Sequence, residues 1–219
     1  ELTGSAATLA TLAAVGCNDG RPGARAGQTP GSAPTTSATS SAPADAGWRQ
    51  PNEIRSIGGV LDTTLTLKGA LVPHGTKTRW AITINGSSPG PTLRIRPGDR
   101  LRITVENKLA HSTNIHTHGL HVSPSGNADN PFVEIKAGET FIYEMQVPGD
   151  HPSGLFWYHP HLHHHVAEQL FAGMFGAIVV EDSLDELPEI KRATERLLLI
   201  HDTLDAARRS CADRVSSCA

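Results

Sequence analysis

The central part of the chain alternates between hydrophobic and polar positions in short runs. Residues 79–84 (RWAITI) and 101–105 (LRITV) alternate cleanly, and residues 61–72 (LDTTLTLKGALV) do so in part. Because successive side chains of a strand point to opposite faces, each run predicts a β-strand with one buried side. Asn85-Gly86 follows the first of these runs and supplies the residues of a tight turn.

Further short runs of the same kind follow towards the C-terminus. Residues 140–147 (TFIYEMQV), 155–158 (LFWY) and 175–181 (FGAIVVE) predict strands, and only residues 166–172 (VAEQLFA) predict a short helix. Many short strands separated by Pro/Gly turns are typical of a β-sandwich or β-barrel. The stretch is long enough to bury a core of its own.

The N-terminal region predicts a tether rather than a folded unit. Residues 18–46 are mostly Gly, Pro, Ser, Thr and Ala with almost no large apolar side chain, so they bury too little surface to offset chain entropy. Residues 5–16 are small and apolar, and Cys17 follows them, as at the end of a bacterial lipoprotein signal. This pattern predicts a lipidated Cys17, membrane attachment and a periplasmic or other extracytoplasmic location. A chance Ala-rich stretch is the alternative.

The C-terminal region predicts an incomplete extension. Residues 183–195 form an acidic connector, and residues 196–200 (RLLLI) resemble the first strand of another domain. The last residues bring in two cysteines without apolar periodicity, which suggests a truncation or frameshift near Ala207; a genuine cysteine-bearing tail is the alternative. Three parts are therefore expected, whose ranges are 1–47 (signal remnant and linker), 48–182 (folded domain) and 183–219 (connector and start of a second domain).

Charge, cysteine and histidine content limit the kinds of binding site that this chain can have. The net charge of -3 gives no indication of nucleic-acid binding. Cys17, Cys211 and Cys218 lie outside the histidine-rich stretch, which excludes a cysteine-type zinc site there and makes a disulfide framework improbable. The chain has 12 histidines, and most of them lie between His111 and His165. A histidine excess confined to one stretch suggests metal binding, with surface histidines as the alternative.

Two His-x-His pairs carry this suggestion. His116 and His118 are two apart on a predicted strand, so their side chains share a face. His159 and His161 are spaced in the same way around Pro160, which marks a strand end or edge because proline cannot donate to a sheet ladder. If the two strands meet, four imidazoles converge. Imidazole suits copper, zinc, iron and nickel, so the residues alone predict a polyhistidine metal site and leave the metal open.

Three motifs in order resemble a known family. They are residues 116–121 (HTHGLH), 156–161 (FWYHPH) and 168–182 (EQLFAGMFGAIVVED), supported by residues 84–99 (INGSSPGPTLRIRPGD). Together they are similar to the N-terminal cupredoxin domain of the multicopper oxidases, the laccase and ascorbate oxidase group, over residues 48–182. The resemblance implies an all-β Greek-key cupredoxin β-sandwich. It also implies an enzyme that oxidises a small reducing substrate one electron at a time and reduces dioxygen to water.

The resemblance also implies the cofactor and the role of each histidine. Copper is the expected metal, with His116 on the type 2 copper and His118, His159 and His161 on the type 3 pair. The remaining ligands and the type 1 site come, in the family, from a C-terminal domain, and their motifs do not occur in this sequence. This chain is therefore expected to supply half of a trinuclear cluster and to be inactive alone. A C-terminal cupredoxin domain or a partner subunit would complete it.

Some residues depart from the family pattern or leave their role open. The family reaches its glutamine sooner after the second pair, whereas here the gap before Gln169 is longer. The extra histidines in that gap are His163, His164 and His165, and they predict either weak metal ligands or a solvated loop. His161 and His163 also form an alternative His-x-His pair. Asp129 lies where the family often has an acid that helps to deliver protons, and an ordinary Asx turn is the alternative.

Two rival functions are consistent with parts of the sequence. One is a non-enzymatic, tethered cupredoxin-like domain that binds or buffers copper in the cell envelope. The other is a metal-dependent enzyme of the cupin type, which also carries His-x-His on strands. A cupin adds a glutamate shortly after the pair and a later lone histidine, and Glu134 and His151 do not have that spacing.

Overall fold

The computed structural model describes residues 50–203, and this part of the chain is built mainly of strands. The predictions for residues 1–47, including Cys17, and for the cysteines at 211 and 218 lie outside the described residues. The strands are β1 Glu53–Arg55, β2 Val60–His74, β3 Lys77–Ile84, β4 Thr92–Ile95, β5 Arg100–Asn107, β6 His116–His118, β7 Thr140–Gln146, β8 Gly154–His159 and β9 Gly176–Val180. The helices are α1 Val166–Phe171 and α2 Pro188–Arg192, with a 3₁₀ turn over Ser183–Glu186.

The strands form two sheets. One is five-stranded in the order β1-β4-β9-β8-β6, and the other is four-stranded in the order β3-β2-β5-β7. Strands distant in sequence lie side by side, for example β4 parallel to β9 and β2 parallel to β5. This confirms the expected cupredoxin β-sandwich. Among the described strands, β6 lies at the edge of the five-stranded sheet and pairs with β8 alone.

The apolar side of each strand fills the core. In β5 the burial alternates residue by residue, with Leu101, Ile103 and Val105 at most 1% exposed. Across the sandwich, Ile95 of β4 and Ile178 of β9 are each 1% exposed in the same cluster. Burial of a side chain of this size contributes about 1.5–3 kcal/mol, so the alternation seen in the sequence fixes which face of each strand points inward.

Side-chain hydrogen bonds connect helix α1 to the segment that precedes β6. Gln169 of α1 is buried; its Nε2 donates to the carbonyl of Ser112 at 2.8 Å, and its Oε1 accepts from the Thr113 hydroxyl at 2.7 Å. The longer gap before this glutamine is taken up by the loop that contains His163 and His164. The glutamine of the family motif therefore anchors α1 despite the insertion.

Where the sequence predicted a strand, the boundaries agree to within a few residues except at residues 196–200, and the short strand β1 was not predicted. Residues 196–200 are not a strand: no described strand pairs with them, and a strand needs a partner for its backbone hydrogen bonds. Helix α2 was missed, although Pro188 at its first position is a common helix start. Among residues 50–203 no helix is long and apolar enough to cross a membrane.

Candidate metal centre

Antiparallel pairing of β6 with β8 brings the two His-x-His pairs together. His116 lies directly opposite His159, and His118 lies opposite Trp157. Strand β8 ends at His159, immediately before Pro160, as the missing amide donor of proline predicts. His161 follows just beyond the strand end. The pairing register therefore places both pairs at the same end of the five-stranded sheet.

All four predicted histidines converge. The ring of His116 is central, with its centroid 5.7 Å from that of His118, 5.3 Å from that of His159 and 5.1 Å from that of His161. One ring nitrogen from each of His116, His118 and His159 lies within 4.8 Å of the others, a spacing that could hold a metal ion; among the described residues His161 is not in this group, and only its ring lies close to theirs. His159 is buried and His118 is exposed, so the cluster is open towards solvent on the β6 side.

His159 is held neutral, with one nitrogen directed at the cluster. Its Nδ1 lies 2.8 Å from the carbonyl of Pro160, which can only accept, so Nδ1 carries the proton. Its Nε2 is then the nitrogen that carries a lone pair and can only accept; it lies 3.3 Å from Nδ1 of His118. Burial, reinforced by the neighbouring imidazoles of the cluster, lowers the pKa of His159 to about 4. A neutral imidazole is the form that binds metals.

His116 is oriented by a carboxylate. Its Nδ1 lies 3.1 Å from Oδ1 and 3.0 Å from Oδ2 of Asp129, and Asp129 is only 7% exposed. The backbone amide of Thr117 also donates to Oδ1 at 3.0 Å. Metal-binding histidines commonly donate their second ring nitrogen to a carboxylate in this way. The structure thus joins Asp129 to the predicted ligands, with contacts beyond those of an ordinary Asx turn.

His161 supplies a nitrogen that lacks a partner. Its Nδ1 is buried and forms no hydrogen bond to the described residues. A buried polar atom without a partner is costly, and a bound metal ion or an ordered water would satisfy it. Together with the proton positions on His159 and the carboxylate on His116, this orphan nitrogen shows that the residues present fit a copper-binding role.

Trp157 is a member of the site that the motif analysis did not single out. Its ring stacks on that of His159, with centroids 4.0 Å apart and planes inclined by 25°, and lies 5.2 Å from that of His118. Trp157 and His159 are two apart on β8 and share a face. The rule that alternate residues of a strand share a face, which placed His159 beside His161, could therefore also have predicted Trp157 as a member of the site.

The remaining histidines lie outside this cluster of four. The ring of His163 is 6.2 Å from that of His161 and is exposed, while His165 stacks on exposed His111 at 5.9 Å. His164 is exposed as well, in a left-handed backbone conformation. Of His111 and the three loop histidines, His163 alone has a ring contact with a predicted ligand among the described residues. This arrangement favours the solvated-loop interpretation of residues 163–165.

The two cupin candidates are engaged elsewhere. His151 accepts the backbone amide of His121 at Nε2, 3.0 Å away, and its Nδ1 lies 2.7 Å from the carbonyl of Pro152. Glu134 is exposed and accepts from the Ser112 hydroxyl. Both ring nitrogens of His151 are therefore used in local hydrogen bonds, and His151 is not among the residues whose nitrogens converge.

Comparison with known families decides between the interpretations. The sequence model of a family described as multicopper oxidase matches residues 66–185, more than half of the chain. This chain belongs to the multicopper oxidase family. Membership in this family of copper oxidoreductases implies that the metal is copper. The cupin alternative is excluded.

Individual relatives agree with the family match. Laccase-1 of Trametes villosa is 36% identical over 143 residues, which are 61% of this chain and 26% of that laccase. The multicopper oxidase mco of Staphylococcus haemolyticus is 38% identical over 100 residues, covering 45% of this chain and 22% of its own. Among solved structures, the multicopper oxidase of Campylobacter jejuni, described as a metallo-oxidase, matches at a TM-score of 0.57 with 33% identity, covering 64% of this chain and 31% of that one. The chain thus spans about a quarter of the length of the curated relatives it matches.

Proposed function

We propose that this chain is the N-terminal cupredoxin domain of an enzyme that couples one-electron oxidation of a small reducing substrate to the reduction of dioxygen to water. The observation that carries the proposal is the convergence of four imidazoles at one end of the five-stranded sheet, in a member of the multicopper oxidase family. The rival, a tethered domain that only binds or buffers copper, is less well supported, because the similar proteins named above are laccases and multicopper oxidases.

We propose different roles for the four histidines. His116 binds the type 2 copper, and His118, His159 and His161 bind the type 3 pair, so this chain contributes half of the ligands of a trinuclear cluster. The contrast in surroundings supports the division. His116 is the histidine with a carboxylate on its Nδ1, whereas Nδ1 of His159 donates to a backbone carbonyl.

Copper, when bound, supplies the one-electron chemistry and the site at which dioxygen is reduced. The residues of this chain would hold the metal and orient the histidine rings that bind it. The Asp129 carboxylate fixes the ring of His116, and the Pro160 carbonyl fixes the tautomer of His159. We also propose that Asp129 relays protons, because its carboxylate is buried beside the cluster.

A second domain is proposed to complete the site. Strand β6 is a sheet edge, and His118 on it is exposed, so one side of the cluster is available to further ligands. Either a C-terminal cupredoxin domain of the same protein or a partner subunit would supply the remaining histidines and the type 1 copper. The short span relative to the matched relatives supports this proposal.

Location in the cell envelope is proposed from sequence alone. The small apolar residues 5–16 followed by Cys17 support lipidation, and the polar linker after them would separate the folded domain from the membrane. Radiolabelled palmitate incorporation in a bacterial host tests this proposal, with Cys17→Ser as the control that should remain unlabelled. Label retained on the serine variant would refute lipidation at this position.

The product of the whole gene, loaded with copper, tests the proposed function. With a one-electron donor such as a phenol, we expect it to consume dioxygen and release water rather than hydrogen peroxide. His116→Ala and His159→Ala should abolish consumption, while Ala substitution of the exposed His74 on β2 should leave it unchanged. A copper-loaded protein that consumes no dioxygen with any of several one-electron donors would support the copper-binding rival instead.

A further inference from the structure

Asn114 is a fully buried amide two residues before His116. Its side chain is 0% exposed, and all three of its hydrogen bonds reach other segments. Nδ2 donates to the carbonyls of Pro131 at 3.0 Å and Val133 at 3.1 Å. Oδ1 accepts the backbone amide of His161 at 2.7 Å. One side chain therefore joins three separate parts of the chain.

Each of these three parts carries a member of the proposed metal centre. The backbone at Asn114 leads through Ile115 into His116. The carbonyls of Pro131 and Val133 belong to the same loop between β6 and β7 as Asp129, whose carboxylate holds the ring of His116. The third partner is the backbone amide of His161 itself. Asn114 thus fixes where the His161 backbone and the Asp129 loop lie relative to β6.

The chemistry of asparagine suits this position. An amide has two donor hydrogens on its nitrogen and an acceptor oxygen, which match two carbonyls and one amide. Aspartate would keep the acceptor for His161 but lose both donors, and an apolar residue would leave all three partly buried backbone groups without these partners. Each buried group without a partner costs about 1–3 kcal/mol.

We propose that Asn114 is a positioning residue of the metal centre, setting the placement of His161 and of the Asp129 loop around His116. The inference rests on the proposed function for its copper readouts, but the contacts themselves belong to the metal-free chain. It predicts that a change at Asn114 alters the bound metal beyond any loss of stability.

Asn107 provides a matched control. It is also 0% exposed, and its Nδ2 donates to the carbonyls of His111 at 2.9 Å and Ile135 at 2.8 Å. Its Oδ1 accepts the backbone amide of Leu109 at 2.9 Å. The two asparagines therefore make the same set of bonds, but the partners of Asn107 do not include a proposed ligand.

The experiment compares Asn114→Asp with Asn107→Asp in the full 219-residue chain. Both variants lose two donor bonds of a buried amide and should lose similar stability in urea unfolding. Copper(II) is the probe, with affinity measured against a competing chelator and coordination read by electron paramagnetic resonance. We expect Asn114→Asp to weaken copper binding about 10–100-fold and to change the hyperfine splitting, as is typical when groups that orient ligands are altered. Asn107→Asp should bind copper as the wild type does. Equal copper affinities and spectra in both variants would overturn the proposal.

Amide hydrogen exchange in the metal-free wild type gives a second test that needs neither copper nor a folded variant. The backbone amide of His161 and the side-chain amide of Asn114 should both be strongly protected. Exchange at the rate of an unfolded peptide would overturn the inference. If the wild-type chain took up no copper while both groups were protected, the proposed function would fail for the isolated chain and the positioning contacts would stand.

Discussion

Nδ1 of His116 lies 3.0 Å from one carboxylate oxygen of Asp129 and 3.1 Å from the other. The carboxylate is nearly buried and also accepts the amide of Thr117, so it cannot easily turn away. With Nδ1 occupied, Nε2 of His116 is the nitrogen that remains for a metal. The histidine at the centre of the cluster is therefore fixed in ring orientation before any metal binds.

Substitution of Asp129 should weaken the metal centre. Asp129→Asn keeps the shape and an acceptor for Thr117 but removes the negative charge beside His116. We expect copper(II) affinity to fall about tenfold or more, the usual range for groups that orient a ligand. Chelator competition measures the affinity. Asp150→Asn, in the exposed turn before β8, is the control and should bind like the wild type. Equal affinities for both variants would contradict the orienting role.

Trp157 should report on copper directly. Its ring stacks 4.0 Å from that of His159, so copper(II) bound there would quench its fluorescence strongly, because quenching falls steeply with distance. We expect Trp157→Phe to remove most of the copper-induced quenching. In contrast, Trp80→Phe, on β3 of the other sheet, should retain it. If the Trp157 variant quenched as fully as the wild type, copper would be binding away from this cluster.

Gly119, next to His118, should not tolerate a side chain. Its φ is +89°, and an added Cβ would lie 2.8 Å from Cδ1 of Phe156. Gly126 also has a positive φ, +64°, but an added Cβ there meets nothing within 4 Å. We expect Gly126→Ala to cost about 1 kcal/mol from backbone strain alone, and Gly119→Ala to cost about 1–3 kcal/mol more. Urea unfolding measures both. A Gly119 variant no less stable than the Gly126 variant would show that Phe156 moves away freely.

The metal-free chain should lose stability in mild acid because of His159. Burial lowers its pKa from 6.5 to about 4, so between these values the unfolded chain binds a proton that the folded chain does not. The contribution of His159 is therefore present above about pH 6.5 and is lost as the pH falls towards 4. One proton limits the slope to about 1.4 kcal/mol per pH unit. Urea unfolding at several pH values tests this, and His159→Gln should flatten the profile. An unchanged profile in that variant would contradict the assignment.

The sequence was informative about the fold and the four histidines for a physical reason. Alternation with a period of two determines which side chains share a face, so it predicted both the strands and the pairing of His116 with His118. The break caused by Pro160 located the end of β8. The alternation pattern does not predict which strand pairs with which. That β6 lies beside β8, with His116 opposite His159, depends on long-range pairing.

The supporting residues were harder to predict for the same reason. Asp129 was a candidate, but its contact with the ring of His116 spans 13 positions and follows from how a loop folds back. Asn114 was visible only as a neighbour of the motif, because its partners lie 17, 19 and 47 positions away. Residues 196–200 show the opposite error: their strand-like pattern does not make a strand, because no described strand pairs with them.

The copper content of the purified 219-residue chain tests the central claim most directly. The chain and two multiple variants would be incubated with copper, freed of excess metal by gel filtration and analysed by mass spectrometry. One variant replaces His116, His118, His159 and His161 with alanine; the control replaces residues 163–165. We predict that the control keeps the copper content of the wild type and that the fourfold variant loses it. Copper retained by the fourfold variant and lost by the control would contradict the account and place the metal on the exposed loop.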